Sequence, residues 1–97
     1  MDRRKILPKR GSIVILPCKY GDILYVIPTK ENGLEEITRY ECLGFEIGKP
    51  SNTATLFRKE NGKSRQMFQP SFEKFGKTVF FSLEEAERVY MNDEKNF

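Results

Sequence analysis

The sequence predicts a β-rich α+β domain: a small bent antiparallel sheet or an SH3-like barrel, the barrel being the expected form, with one C-terminal helix. Three observations predict this fold class. Short runs rich in β-branched and aromatic residues recur along the chain, and such residues favour strands. Turn signals, including two Asn-Gly pairs, separate these runs. The last quarter of the chain combines a strand-like run with a helix-capping pattern.

Length and composition favour one globular domain. The chain has 97 residues, of which 38% are hydrophobic and 32% charged, as is typical of globular proteins. We divide it into a basic arm (residues 1–11), a β-rich domain with its helix (residues 12–91) and a flexible tail (residues 92–97). No apolar run approaches the roughly 20 residues that span a bilayer. We therefore expect no membrane contact and a cytoplasmic location.

The first half of the chain contains two predicted strands and one ambiguous segment. Residues 12–16 form either a strand or an apolar segment packed beside one. Residues 23–27 form a predicted strand, because they are aliphatic and aromatic and are followed by proline. The turn at residues 31–33 contains an Asn-Gly pair, so a partner strand is expected over residues 36–45. Gly44 within that partner predicts a bulge or bend.

The second half of the chain contains a predicted hairpin and a last short strand. Residues 53–58 and 64–68 are the expected hairpin strands, joined by the Asn-Gly turn at residues 60–63. Residues 69–76 are a connecting loop whose phenylalanines we expect to fold back over the core. Residues 78–81 are the last predicted strand because they are β-branched and aromatic.

A capped helix follows this last strand directly. Ser82 and Glu85 have the capping-box spacing, in which each side chain accepts a hydrogen bond from a backbone N–H at the helix start. Leu83, Ala86 and Tyr90 recur with helical spacing. We therefore expect one apolar stripe of the helix to lie on the core.

Two segments carry a resemblance to a known family. Residues 16–27 read LPCKYGDILYVI, and residues 75–87 read FGKTVFFSLEEAE. Together they resemble a family of short uncharacterised proteins encoded by phages and mobile elements of Gram-positive bacteria. Its members combine a PCKxGDxVYxI-like opening with an FGKTVFLTxEEAE-like ending. The resemblance implies a phage or mobile-element origin and a cytoplasmic setting, and it brings no assigned activity, cofactor or catalytic residue.

The residue types argue against an enzyme. The chain has no histidine, and Cys18 and Cys42 are not in a C-x-x-C pair, so the ligands of a Cys/His zinc site are missing. Both thiols are expected to be small buried groups. Residues 76–78 read Gly-Lys-Thr but lack the upstream glycine of a phosphate-binding loop, and they precede a strand. We predict no catalytic residues, no cofactor and no metal site.

Aromatic content favours a protein-binding module. Eight Phe and four Tyr residues are more than a small core easily buries, and tyrosine is favoured at interfaces. We predict that Tyr20, Tyr25 and Tyr40 contact a partner, although these rings could instead belong to the core. With the phage resemblance, the partner would be a host protein that is modulated or inhibited, such as a defence or nucleic-acid-processing enzyme. An exposed sheet edge would offer a second route to association, including a homodimer.

Basic residues support an alternative function, direct DNA or RNA binding. Residues 49–77 carry seven Lys/Arg against two Asp/Glu, and the N-terminal arm is also basic. Cations interleaved with aromatic rings can follow a phosphate backbone and stack bases. The same charges could simply keep a hairpin solvated. The candidate nucleic-acid-binding residues are Arg58, Lys59, Lys63, Arg65, Lys74 and Lys77.

Overall fold

The computed structural model describes residues 14–48, 50–60 and 64–95. They form one sheet of five antiparallel strands in the order β4-β3-β2-β1-β5, followed by a single α-helix. A short 3-10 helix, Phe72–Lys74, lies between β4 and β5. The strands and the helix are β1 (Ile23–Val26), β2 (Thr38–Glu46), β3 (Thr53–Glu60), β4 (Ser64–Phe68), β5 (Val79–Phe80) and α1 (Leu83–Lys95).

The predicted fold class is confirmed as an open antiparallel sheet with a C-terminal helix, and the SH3-like barrel is wrong. Among the described residues, β4 and β5 lie at opposite edges of the sheet and do not pair with each other. β5 pairs with β1 at only two positions, Tyr25 with Phe80 and Val26 with Val79. The helix begins at Leu83, so the chain leaves the sheet before a further strand could close it.

The predicted elements match the observed ones closely, with two differences at the ends of the domain. Residues 14–16 have no regular secondary structure, so the strand option for this segment is not realised where it is described. α1 continues to Lys95, past the domain end expected at residue 91. The basic arm over residues 1–11 and most of the turn predicted at residues 60–63, namely residues 61–63, lie outside the described residues.

One side of the sheet, which we call the loop-covered face, carries the larger core. Its central side chains come from alternating positions of the inner strands, and the segments before β1, between β1 and β2 and before β5 add further residues. Partly buried Leu34, Phe45, Phe68 and Phe75 pack against this cluster. The buried members are Cys18, Leu24, Val26, Tyr40, Cys42, Ala54, Leu56 and Val79.

The opposite side, which we call the helix-covered face, holds a smaller core under α1. Its buried members are Ile27, Phe80 and Ala86, and the strands that the helix contacts most are β1 and β5. The hydroxyl of Ser82 accepts the N–H of Glu85 at 3.1 Å, so the serine half of the predicted capping box is confirmed. The cap fixes where the helix starts and therefore which of its side chains reach the sheet.

A β-bulge in β2 determines which side chains of this strand point toward the loop-covered face. Cys42 pairs with Leu56, but the next pair is Gly44 with Thr55, so Leu43 is an extra residue without an opposite partner. The bulge expected at Gly44 is therefore confirmed. Beyond it, Phe45 lies on the loop-covered face, where its ring meets that of Phe72 edge-on at 6.0 Å.

Candidate protein-binding surface

A well-formed depression on the described surface is a groove beside α1, with a volume of about 550 Å³. One wall is the segment that leads into β2, and the other is the helix. We call it the acidic groove because its described charged residues are all glutamates. It is lined by Glu35, Glu36, Ile37, Leu83, Glu87, Tyr90 and Met91.

The helix supplies the apolar part of this groove through a second stripe. Leu83, Glu87 and Met91 are four residues apart and therefore lie above one another on the same side of α1. The adjoining stripe contains Ala86, which is buried against the sheet. Leu83 is 44% exposed and Met91 is 55% exposed. The expectation that Leu83 shares the buried stripe with Ala86 is thus corrected, because the helix docks through Ala86 and turns Leu83 toward the groove.

The walls of the acidic groove have the same sign of charge on both sides. Glu35 and Glu36 are exposed on the wall that precedes β2, and Glu87 is exposed on the helix wall. Between them lie Ile37 and Tyr90, both partly buried against the small core. A polar rim around an apolar floor is the usual arrangement of a protein interface.

The three predicted tyrosines do not form one surface. Tyr20 is 73% exposed in the turn that precedes β1. Tyr25 is partly buried on the helix-covered face. Tyr40 is only 4% exposed, and its ring centroid lies 5.7 Å from that of Phe68. Tyr40 is therefore a core residue, because it alternates with buried Cys42 along β2, and its ring is not available as an exposed anchor.

The basic candidates are dispersed, and two of them are engaged within the domain. Arg58 Nε donates to Gln66 Oε1 at 3.0 Å, and its guanidinium carbon lies 6.0 Å from the Tyr40 ring centroid. Lys74 Nζ is 3.7 Å from Glu31 Oε1. Lys77 is exposed.

The remaining basic candidates surround the β3–β4 turn. Lys59 is opposite Arg65 in the register of the two strands. The side chains of Lys59 and Arg65 lie outside what the structure describes, as does the whole of Lys63. The described part of the chain therefore does not assemble the six predicted residues into one site.

A second, smaller cavity of about 190 Å³ lies between the β1–β2 connection and the chain around Lys74. Asn32 organises its rim: Asn32 Oδ1 accepts the N–H groups of Thr29 at 3.0 Å and Leu34 at 2.9 Å. Its Nδ2 donates to the carbonyl of Ile27 at 3.0 Å. These Asn32 side-chain groups bond the backbone of their own loop, so they stabilise the loop. We therefore interpret this cavity as structural.

The two cysteines are free, buried and next to each other. The turn before β1 brings them together, because Gly21 N donates to the Cys42 carbonyl at 2.8 Å and Cys42 N donates to the Asp22 carbonyl at 2.9 Å. Burial, followed by the hydrogen bond and charge of Cys42, raises the pKa of Cys18 to about 12. A thiol with this pKa stays protonated at neutral pH, which is opposite to what a nucleophilic cysteine requires.

Within residues 14–48, 50–60 and 64–95, no group of three or more Cys, Asp or Glu residues is placed to hold a metal ion. No helix in this part of the chain has the length and apolar character needed to cross a membrane.

Comparison with known proteins returned no matching protein family, no matching curated protein and no matching solved structure. The fold and the surface therefore define the chain as a β-rich α+β domain with an open five-stranded sheet, one helix and an acidic, apolar-floored groove.

Proposed function

We propose that this protein is a non-enzymatic binding module that attaches to another protein and modulates or inhibits it. The observation that carries the proposal is the acidic groove, where Leu83 and Met91 expose apolar surface along one wall and glutamates line both walls. Single exposed apolar residues are ordinary on a protein surface, but several that line one depression with polar groups around them mark interaction sites.

The class of partner that we propose is suggested by the resemblance to phage and mobile-element proteins. A protein of that origin would work in the cytoplasm of the host cell and would act on a host protein. A defence enzyme or a nucleic-acid-processing enzyme is the partner class that we propose. The support is analogy with small phage-encoded proteins, so the test must identify the partner directly.

Affinity capture from host lysate, with and without nuclease and read by mass spectrometry, tests this function. We expect a stoichiometric host protein that survives nuclease treatment. Met91→Asp should abolish its recovery because a charge would replace apolar contact area in the groove. Met67→Asp is the matched control, since Met67 on β4 is 57% exposed and lies outside the groove. Recovery that disappears with nuclease would contradict the proposal.

Direct nucleic-acid binding is the second candidate, and the β3–β4 hairpin favours it. Lys59 and Arg65 are directly opposite each other there, and Arg58 precedes them on β3. If this function is correct, DNA or RNA affinity should fall steeply with salt, because bound cations release counterions from the phosphates. Replacing Arg58, Lys63 and Arg65 with Glu should abolish the gel shift. Binding that is insensitive to both changes would exclude this candidate.

Self-association through a sheet edge is the remaining proposal from the sequence. Among the described residues, β4 is an edge strand of five residues, long enough to receive another strand. Sedimentation of the purified protein tests it. A dimer that dissociates when Gln66 is replaced by proline would support strand addition, because proline cannot donate to a β ladder. A monomer at all concentrations would contradict it.

A further inference from the structure

We infer that the acidic groove binds a basic amphipathic segment of the partner, in which Lys or Arg residues flank a short apolar stripe. The inference rests on the proposed function and specifies the chemistry of the same surface. It is carried by the combination of an apolar floor with carboxylates on both walls.

The shape and the floor of the groove fit a few apolar side chains. A volume of about 550 Å³ is within the roughly 300–1,000 Å³ that ligand clefts occupy. Leu83 and Met91 stand about two helical turns apart along α1, so a partner helix laid beside them could place apolar residues at matching spacing. Met91 is an adaptable contact because its unbranched thioether side chain fits irregular surfaces.

The walls determine the charge of the occupant. Glu35 and Glu36 on one side and Glu87 on the other would each face the flank of a segment that fills the groove. Lys and Arg suit this position, because their aliphatic stems cover apolar surface while their charged ends reach the carboxylates. A phosphate backbone would meet like charge on both walls, so the groove does not fit nucleic acid.

A second copy of the chain, groove against groove, is disfavoured for the same reason. A two-fold symmetric contact presents the same patch on both subunits, which would bring the glutamates of the two copies together. The chain's own N-terminal arm is another possible occupant of the groove. It contains basic residues followed by an apolar one, namely Arg3, Arg4, Lys5 and Ile6. The experiment below separates that occupant from a partner.

The test is an NMR titration of the isotope-labelled full chain with two synthetic peptides. One consists of three Lys-Leu-Leu-Lys units, and the other of three Glu-Leu-Leu-Glu units of equal length and apolar content. We expect amide shifts at residues 35–37 and 83–91 with the basic peptide, and at least about tenfold weaker binding of the acidic peptide. Equal binding of both peptides, or shifts concentrated on another surface, would overturn the inference.

Charge variants make the titration specific to the groove. Replacing both Glu36 and Glu87 with Lys should lower the affinity for the basic peptide about tenfold. Replacing both with Gln removes the two negative charges without adding positive ones, so it should lower the affinity by a smaller factor. Glu46→Lys is the matched control, because Glu46 is exposed at the far end of β2, roughly 25 Å from Thr38. An unchanged affinity in both double variants, with well-dispersed spectra, would overturn the inference.

Two comparisons complete the design. If removal of residues 1–11 raises the peptide affinity tenfold or more, the arm occupies the groove and the assignment to a partner is overturned. The lysate capture described above is repeated with the Glu36 and Glu87 reversal. If the wild type and the reversed variant capture the same host protein equally well, the proposed function is supported and the inference about the groove is contradicted. If the basic peptide binds as expected but no host protein is captured, the inference about the groove is supported and the proposed function is contradicted.

Discussion

The two faces of the sheet are covered by different means. On the loop-covered face, side chains from all five strands and three connecting segments form a core with eight buried members among the described residues. On the helix-covered face, one helix reaches β1 and β5, and the described part of the chain contributes three buried residues, Ile27, Phe80 and Ala86. The first face therefore contributes most of the buried apolar area, while the second combines a small core with exposed apolar side chains.

The difference separates stability from recognition. Hydrophobic stabilisation scales with the apolar area removed from water, so the loop-covered face should dominate the free energy of unfolding. The helix is attached by fewer buried groups, so it should open more easily than the sheet. The acidic groove lies along this less strongly attached element.

The largest expected effect is on the loop-covered face. Leu24→Ala should lower the free energy of unfolding by about 2–5 kcal/mol, because it removes a fully buried side chain and leaves a cavity. Urea denaturation measures it, and Leu16→Ala is the matched control, since Leu16 is exposed and should change stability by less than about 0.5 kcal/mol. A similar loss in both variants would contradict the assignment of the main core.

Ala86→Leu should have a smaller and more local effect on the helix-covered face. Ala86 is fully buried, so added methylenes should cost about 1–3 kcal/mol and loosen the helix from β1 and β5. Hydrogen exchange should show α1 amides losing protection while the amides of β2 and β3 keep theirs. Arg88→Leu, at an exposed position of α1, is the control. Equal loss of protection in β2 and β3 would show that the two cores are not separable.

Ser82→Ala tests the cap that aligns the helix. It should cost about 1 kcal/mol, because the N–H of Glu85 would lose its acceptor. Ser71→Ala is a close control, since Ser71 occupies the same position before the 3-10 helix but makes no side-chain cap hydrogen bond. Thermal unfolding of both variants provides the measurement. A destabilisation by Ser71→Ala as large as that by Ser82→Ala would contradict the role of the cap.

The smallest effect near neutral pH concerns the cysteine pair and emerges only in alkali. In the unfolded chain Cys18 should ionise near pH 9.0, whereas burial in the folded state raises its pKa to about 12. Its contribution to stability is therefore complete below pH 9 and is lost as the pH rises toward 12. The measurement is the difference in the pH dependence of unfolding free energy between the wild type and Cys18→Ala, because contributions common to both proteins cancel. Identical slopes would contradict a buried neutral thiol.

Local signals explain which parts of the fold were predictable. The strands were predicted correctly because β-branched residues, turns and the cap act within a few positions of the chain. Barrel closure was predicted wrongly because β4 and β5, although consecutive in the chain, lie at opposite edges of the sheet. β5 pairs instead with β1, and no local pattern in the sequence indicates that long-range pairing. The resemblance to phage-encoded proteins stays a prediction.

The groove was missed for a similar reason. The groove forms because residues 35–37 lie beside α1, and no local sequence pattern predicts that contact. The helical spacing did show that α1 is amphipathic, but the docking angle decides whether Leu83 or Ala86 is buried. Tyr40 was the more avoidable error, because its alternation with Cys42 indicates the same inward face.

The bulge in β2 has a consequence for how this chain would align with relatives. Because Leu43 has no opposite residue, the pairs on either side of it, Cys42 with Leu56 and Gly44 with Thr55, would be consecutive if it were deleted. A relative with a regular β2 would therefore be one residue shorter inside the strand. Its correct alignment would require a gap at Leu43, at a place where gaps are normally penalised, and an ungapped match would pair inward residues with outward ones through the rest of the strand.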